Sequence, residues 1–321
     1  MLRLALAVAV LAACGSKPEP APSGSAGSAG SATAHGGPAA PGPNAATCTQ
    51  LPFEPTSPVH EASGAAWMPI DGKPALVVIS DSGNDGEYAI IDPDSGKTLE
   101  LGKLPLGEPG EDLEGVAVRG GRLVAVTSSG WIRAWVRNDA AKGFELVEGP
   151  YPLGPVTLPD RSNNQNHPLE GDGMACKATR TNCGRNYEGL CLVAKGAPAG
   201  ARCVGFAAAK ADGKLYCLVE HDGKLVADHA SSIAVARPGV VADCAFSDDG
   251  TLYVGSNMFD LGEVYRVTGW QDPTTAKVRK FAELPIGFPE TLAVRGDVVY
   301  RMSDMGGTPS MMVKYRCTPV P

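Results

Sequence analysis

The sequence contains no Cys-x-x-Cys pair, and its five histidines are few and scattered, so a zinc centre is not expected. No Gly-x-Ser-x-Gly elbow occurs, and no Ser/His/Asp set can be chosen from spacing, which leaves serine-hydrolase chemistry without a motif. Basic residues are in deficit, with 28 Lys and Arg against 35 Asp and Glu and a formal charge of −7. Without a basic stripe, nucleic acid is not an expected partner. Amphipathic helical periodicity is almost absent, and past the first residues no apolar run is long enough to cross a membrane.

The N-terminus carries an address. Met1-Leu-Arg3 is a short positive region, Leu4 to Ala13 is unbroken Leu, Ala and Val, and Leu11-Ala-Ala-Cys14 resembles a lipobox. Residues 1–13 therefore read as a lipoprotein signal peptide and Cys14 as the lipidated residue. Residues 14–47 read as a tether of Gly, Ser, Ala and Pro that cannot bury enough apolar surface to order itself, with a reach of roughly 30 Å. Residues 48–321 are left as one domain. The expected location is extracytoplasmic and lipid-anchored; Gly15, rather than Asp, after the lipidated cysteine favours the outer membrane by resemblance to enterobacterial sorting. A monomer is expected.

Removing Cys14 from the nine cysteines leaves eight, an even number that in an exported chain reads as disulfides. Cys48 and Cys317 stand at the two ends of the domain, where a circular fold must close. Cys176 and Cys183 flank a short polar loop. The remaining pairs expected are Cys191 with Cys203 and Cys217 with Cys244.

The body of the chain repeats itself. Asp112-Leu-Glu-Gly-Val-Ala-Val118, Asp243-Cys-Ala-Phe246 and Pro289-Glu-Thr-Leu-Ala-Val294 each open with a carboxylate. Each continues through a strand, a turn and a second strand ending in a polar residue. The interval is the same from Glu114 to Ser128, from Asp243 to Asn257 and from Glu290 to Asp304. Looser copies start at Ser63 and Glu188, the latter reaching its second strand, Leu215 to Glu220, after an insertion. A unit of this kind cannot bury its faces alone, and stacked copies make an all-β propeller of four-stranded blades. Five blades are counted, disulfide-braced, and the polar stretch from Pro150 to Arg185 leaves room for a sixth.

The innermost strand of each blade lines a propeller's axis, so the repeated carboxylates should gather at one mouth. Residues two apart on a strand share a face, which pairs Glu61 with Ser63 and Asp112 with Glu114. Glu188, Asp243 and Glu290 join from other blades, and second-strand ends add Asp81, Glu220, Asn257 and Asp304. Gathered like charges are costly unless a cation or water sits among them. Oxygen-only ligands favour a hard ion, and outside the cytoplasm Ca²⁺ is the expected cofactor. Glu61, Asp81, Glu114, Glu188, Asp243, Glu290 and Asp304 are the candidate metal ligands. The alternative is that each carboxylate accepts backbone N–H bonds from the next blade.

Glu61-Ala-Ser-Gly-Ala-Ala-Trp67, Ser80-Asp-Ser-Gly83, Asp112-Leu-Glu-Gly-Val-Ala117 and Asn186-Tyr-Glu-Gly-Leu190 resemble the recurring motifs of the "esterase-like activity of phytase" family and of the SdiA-regulated propellers. The resemblance implies a periplasmic or surface propeller, Ca²⁺-binding, with phosphoesterase or esterase activity. It points to Glu61, Glu114, Glu188 and Asp81. The cysteine-bearing insertion between Ala194 and Lys214 departs from the pattern, as do Asp243 and Glu290, whose copies lack the Glu-Gly pair.

Three functions follow as expectations. One is a Ca²⁺-dependent hydrolase of phosphate or carboxylic esters, with Glu114, Glu188 and His60 as catalytic residues, His221 a second base, and Arg119, Arg185 and Arg301 for phosphate. Another is a non-catalytic propeller presenting the loop Leu158–Pro168 to a protein or glycan. A lactonase-type metal propeller using Glu61, Asn257 and Asp304 is the third.

Overall fold

The computed structural model describes residues 45–81, 83–107, 112–156, 173–194, 196–257 and 262–319. Cys14, the signal segment, almost all of the tether and the loop Leu158–Pro168 lie outside the described residues. No helix is present among those described.

The chain enters through β1 (Ala46–Leu51), whose first two residues fall in the segment expected as tether, and β2 (Thr56–His60). Blade one is β3 (Ala62–Ile70), β4 (Lys73–Ser80), β5 (Glu87–Ile91) and β6 (Thr98–Lys103). Blade two follows as β7 (Leu113–Arg119), β8 (Arg122–Thr127), β9 (Trp131–Asn138) and β10 (Gly143–Pro152). Blade three is β11 (Tyr187–Leu192), β12 (Gly205–Ala209), β13 (Lys214–His221) and β14 (Lys224–Ala234). Blade four is β15 (Val241–Phe246), β16 (Leu252–Ser256), β17 (Glu263–Thr268) and β18 (Lys277–Glu283). In blade five, β19 (Phe288–Arg295), β20 (Val298–Asp304) and β21 (Pro309–Pro319) take β1 as their outer strand. The fold is a five-bladed propeller. The described part of Pro150–Arg185 holds the end of β10 and, beyond it, an isolated bridge from Val156 to Ala175, and no sixth blade.

The ring closes because its last blade borrows its outer strand from the start of the domain. β1 pairs antiparallel with β21 from Ala46–Pro319 to Leu51–Lys314, and the register sets Cys48 opposite Cys317, where the disulfide forms. Inner strands β3, β7, β11, β15 and β19 pack side by side in that order, and β19 packs back on β3. Apolar side chains bury between neighbouring blades rather than at the axis. Tyr88 and Trp135 share the cluster of blades one and two, while Phe206 and Trp270 share that of blades three and four. This is the stacking that the repeat demands, since each sheet has two faces to cover.

Two of the expected disulfides are re-paired. Cys191 bonds Cys244 and Cys203 bonds Cys217, whereas Cys176–Cys183 forms as expected. The cause is the insertion in blade three. Its second strand is Gly205–Ala209, and Leu215 to Glu220 belongs to the third. Cys203, two residues ahead of β12, therefore lies against Cys217 of the adjoining third strand, and inner-strand Cys191 faces inner-strand Cys244 of the next blade. Four disulfides place this domain in an oxidising, extracytoplasmic setting.

Candidate functional site

Every inner strand breaks register near its start. The irregularity falls between Ala62 and Gly64, Leu113 and Gly115, Tyr187 and Gly189, Val241 and Cys244, and Pro289 and Thr291. The residues set free of the ladder are thus Ser63, Glu114, Glu188, Ala242 with Asp243, and Glu290. A bulge re-aims the side chain it carries. The repeated carboxylates of the sequence are the bulge residues of the blades.

The glycine following two of them has a separate cause. A Cβ on Gly115 would stand 2.1 Å from Leu190 N, and one on Gly189 would stand 2.8 Å from Asp243 Cα. Neighbouring inner strands approach too closely there for any side chain. The Glu-Gly pair is one residue for the mouth and one for the ring.

One carboxylate oxygen each from Asp81, Asp112 and Glu114 lie within 4.8 Å of one another. Asp112 and Glu114 are almost fully buried. Ser128 donates its hydroxyl to Asp112 Oδ2, and Asn182 N donates to Ser128 Oγ at 2.8 Å. Asp112 Oδ1 is buried and receives no N–H or O–H from a described residue. Burial first, then the charges of Asp81 and Glu188, push the Asp112 carboxyl up to about 8. Glu114 is raised well above the usual range by burial and then by Asp81, Glu188, Asp112 and Glu290.

A second group adjoins the first. Lys210 Nζ lies 2.9 Å from Glu188 Oε2 and 3.6 Å from Glu290 Oε1. Asn186 Nδ2 donates to Glu188 Oε1 at 2.9 Å, and Asn257 Nδ2 to Glu290 Oε1 at 3.2 Å. Burial raises Glu188, outweighing the nearby Lys210 charge, and burial with Glu188 pushes Glu290 up to about 8. Burial works against the Lys210 ammonium, yet Glu188 and Glu290 hold its pKa above the usual range. Asp304 acts on Glu290 by charge and accepts from Gly306 N at 2.7 Å.

The remaining sequence candidates go elsewhere. Asp243 is a latch between blades: Oδ2 accepts Leu292 N at 2.8 Å and Oδ1 accepts Cys244 N at 2.7 Å. Glu61 accepts from Asn84 Nδ2 at 3.1 Å and is not one of the three carboxylates that close together. His60 Nδ1 meets Glu87 Oε2 at 3.1 Å. Glu220 lies at the end of β13 remote from the carboxylates, 2.9 Å from Arg119, with His221 beside it. Arg185 pairs with Asp212 at 3.1 Å, and buried Arg301 donates to Ser256 O and Pro289 O, both at 3.0 Å.

Lys210, the cation of the mouth, was not among the sequence candidates. It follows Ala209 where other blades carry Asp81, Ser128, Asn257 and Asp304, so correct placement of the second strand would have found it.

No protein-family model matches the chain, and no curated protein matches its sequence. Solved structures of similar fold include glutaminyl cyclase of Myxococcus xanthus, at 14% identity and TM-score 0.49 over 86% of this chain and 98% of that one. A luciferin-regenerating enzyme shares 10% identity at TM-score 0.45, over 84% of this chain and 95% of that one. A putative 6-phosphogluconolactonase of Bacteroides fragilis shares 15% at 0.38, over 77% of this chain and 71% of that one.

Chemically, the mouth suits a hard cation. Three carboxylate oxygens within 4.8 Å of one another make an oxygen-only cluster of the kind Ca²⁺ takes as ligands, and small side-chain shifts bring all three to its bonding distance of about 2.4 Å. The donor-less Asp112 Oδ1 is the atom such an ion would satisfy.

Proposed function

We propose that this chain is a lipid-anchored, extracytoplasmic hydrolase of carboxylic esters that depends on a divalent cation, Ca²⁺, held by Asp81, Asp112 and Glu114. The carrying observation is the convergence of those three oxygens, with the partly buried ammonium of Lys210 held on the adjoining Glu188. Resemblance of the Glu-Gly motifs to an esterase-like family points the same way. When bound, the cation supplies a Lewis acid for the ester carbonyl and a more acidic water.

The chain's own residues supply the rest. Lys210 directs its N–H donors toward charge that develops on the carbonyl oxygen. Glu188, desolvated and therefore reluctant to ionise, accepts a proton from water and returns it to the leaving alcohol. A neutral carbonyl enters an acidic mouth without penalty, whereas a phosphate dianion is repelled, which favours carboxylic over phosphate esters.

The test is hydrolysis of p-nitrophenyl acetate and p-nitrophenyl phosphate by the purified chain, with Ca²⁺ and with EDTA. Acetate turnover should need Ca²⁺ and should fall by roughly 100-fold or more in Glu114→Gln with the fold intact. No turnover of either ester, with a melting temperature indifferent to Ca²⁺, would remove both the hydrolase and the metal and leave a binding scaffold.

A further inference from the structure

On the axis, at the end remote from the carboxylates, lies a cavity of about 590 Å³. Its inner end is formed by Ala65, Val116, Leu190, Ala245 and Ala293, the channel positions two or three residues beyond the bulges. Alanine on three of the five inner strands is what leaves the space open. At about 3.3 Å per residue the wall begins some 7 Å below the carboxylate level, and none of the mouth carboxylates lines it. The volume falls within the range of small-molecule sites.

Polar side chains return only at the outer rim, with Ser247, Asp248 and Asp249. Asp249 accepts from Ser247 Oγ and from Thr251 N, which hold it below the usual carboxylate range. Asp248 is largely exposed, 3.6 Å from Arg295. The Arg295 guanidinium lies over the Trp67 ring, 5.0 Å from its centroid, and Trp67 lines the cavity. The rim therefore already holds a cation against an aromatic face, and the charged residues that line the cavity itself are Asp248 and Asp249, with Arg295 and Arg266 near them but not lining it.

We propose that this cavity is a second ligand site, separate from the acidic mouth, that takes a cationic amphiphile. The apolar body lies along the channel and the ammonium end meets Asp248 and Asp249 at the rim. An anionic head group of equal length meets two carboxylates there instead, and a neutral one gains no ion pair.

Decylamine, decanol and decanoate, each below its aggregation concentration, discriminate among these by calorimetric titration of the full chain in saturating Ca²⁺. Circular dichroism checks that the fold persists. Decylamine should saturate one site and bind at least ten-fold more tightly than decanoate. Tryptophan fluorescence should change on binding and lose that change in Trp67→Phe, which separates the cavity from adsorption at the mouth. Asp248→Asn combined with Asp249→Asn should bring the three probes to similar affinity, and Ala245→Leu should weaken all of them. Should Ala245→Leu fail to fold, the head-group series on the unaltered chain still decides. Decanoate binding as well as decylamine, no saturable binding, or a fluorescence change that survives in Trp67→Phe overturns the proposal.

Discussion

Lys210 reaches Glu188 across 2.9 Å, with both side chains largely withdrawn from water. The ammonium comes from the turn after β12 and the carboxylate from the bulge of β11, so one blade supplies both halves of the pair. Breaking a buried pair strands a charge, which costs about 3 to 5 kcal/mol. Lys210→Met should lose stability of that order in urea unfolding at neutral pH without Ca²⁺, and added Ca²⁺ should restore part of it. Unchanged stability would show that the carboxylates do not need the lysine.

The pH dependence of the metal-free protein should run opposite to the usual rise from acid to neutral. Asp112 and Glu290 keep their protons to about 8 in the folded protein, while unfolded carboxyls ionise near about 4. Between those values the unfolded chain binds fewer protons than the folded one, so stability present below pH 4 drains away toward pH 8. Glu100, held below the usual carboxylate range chiefly by its hydrogen bonds from Arg137, works in the opposite sense, its stabilisation being lost as the pH falls. Denaturation series from pH 5 to 8 should show the decline in EDTA and its suppression in Ca²⁺. A steady rise in EDTA would refute it.

Asp243→Asn separates latch from ligand. The amide keeps one acceptor oxygen where the carboxylate had two, so either Leu292 N or Cys244 N is left unpaired in the interior. The expected loss is about 1 to 3 kcal/mol in urea unfolding, with Ca²⁺ affinity unchanged by calorimetry. A large fall in affinity would return Asp243 to the ligand set.

Peptide mapping without reduction should recover Cys191 with Cys244 and Cys203 with Cys217. The Cys48–Cys317 bond closes a sequence separation of 269 residues. On the chain-entropy account, replacing both cysteines by serine should cost about 5.6 kcal/mol. Thermal unfolding of Cys48→Ser with Cys317→Ser checks it.

What the sequence disclosed, and what it hid, divides at blade three. The alternating apolar strands and the constant interval from Glu114 to Ser128 and from Glu290 to Asp304 mark strand pairs plainly, because period-two burial and tight turns leave a regular trace. Gly205-Phe-Ala-Ala-Ala209 leaves almost none. Three alanines carry no β-branched or alternating signal, although all are buried. The next segment, Lys214–His221, reads more strongly as a strand and stood in for it. That one displacement hid Lys210, sent Glu220 to the wrong end and exchanged two cysteine partners. The bulges were hidden for another reason: an extra residue in a strand has no composition of its own. They explain how Asp112 and Glu114 can both reach Asp81 while Asp243 turns instead to Leu292 N.

The borrowed strand β1 also fixes a direction. Ala46 stands opposite Pro319, and that edge of blade five belongs to the end of the ring where Arg295 and Asp297 turn, away from Glu114 and Glu188. The first strand of the domain thus begins on the side of the ring behind the acidic opening. A label or support coupled beside Ala46 would therefore meet the domain on the side opposite Glu114 and Glu188 and leave the acidic opening clear.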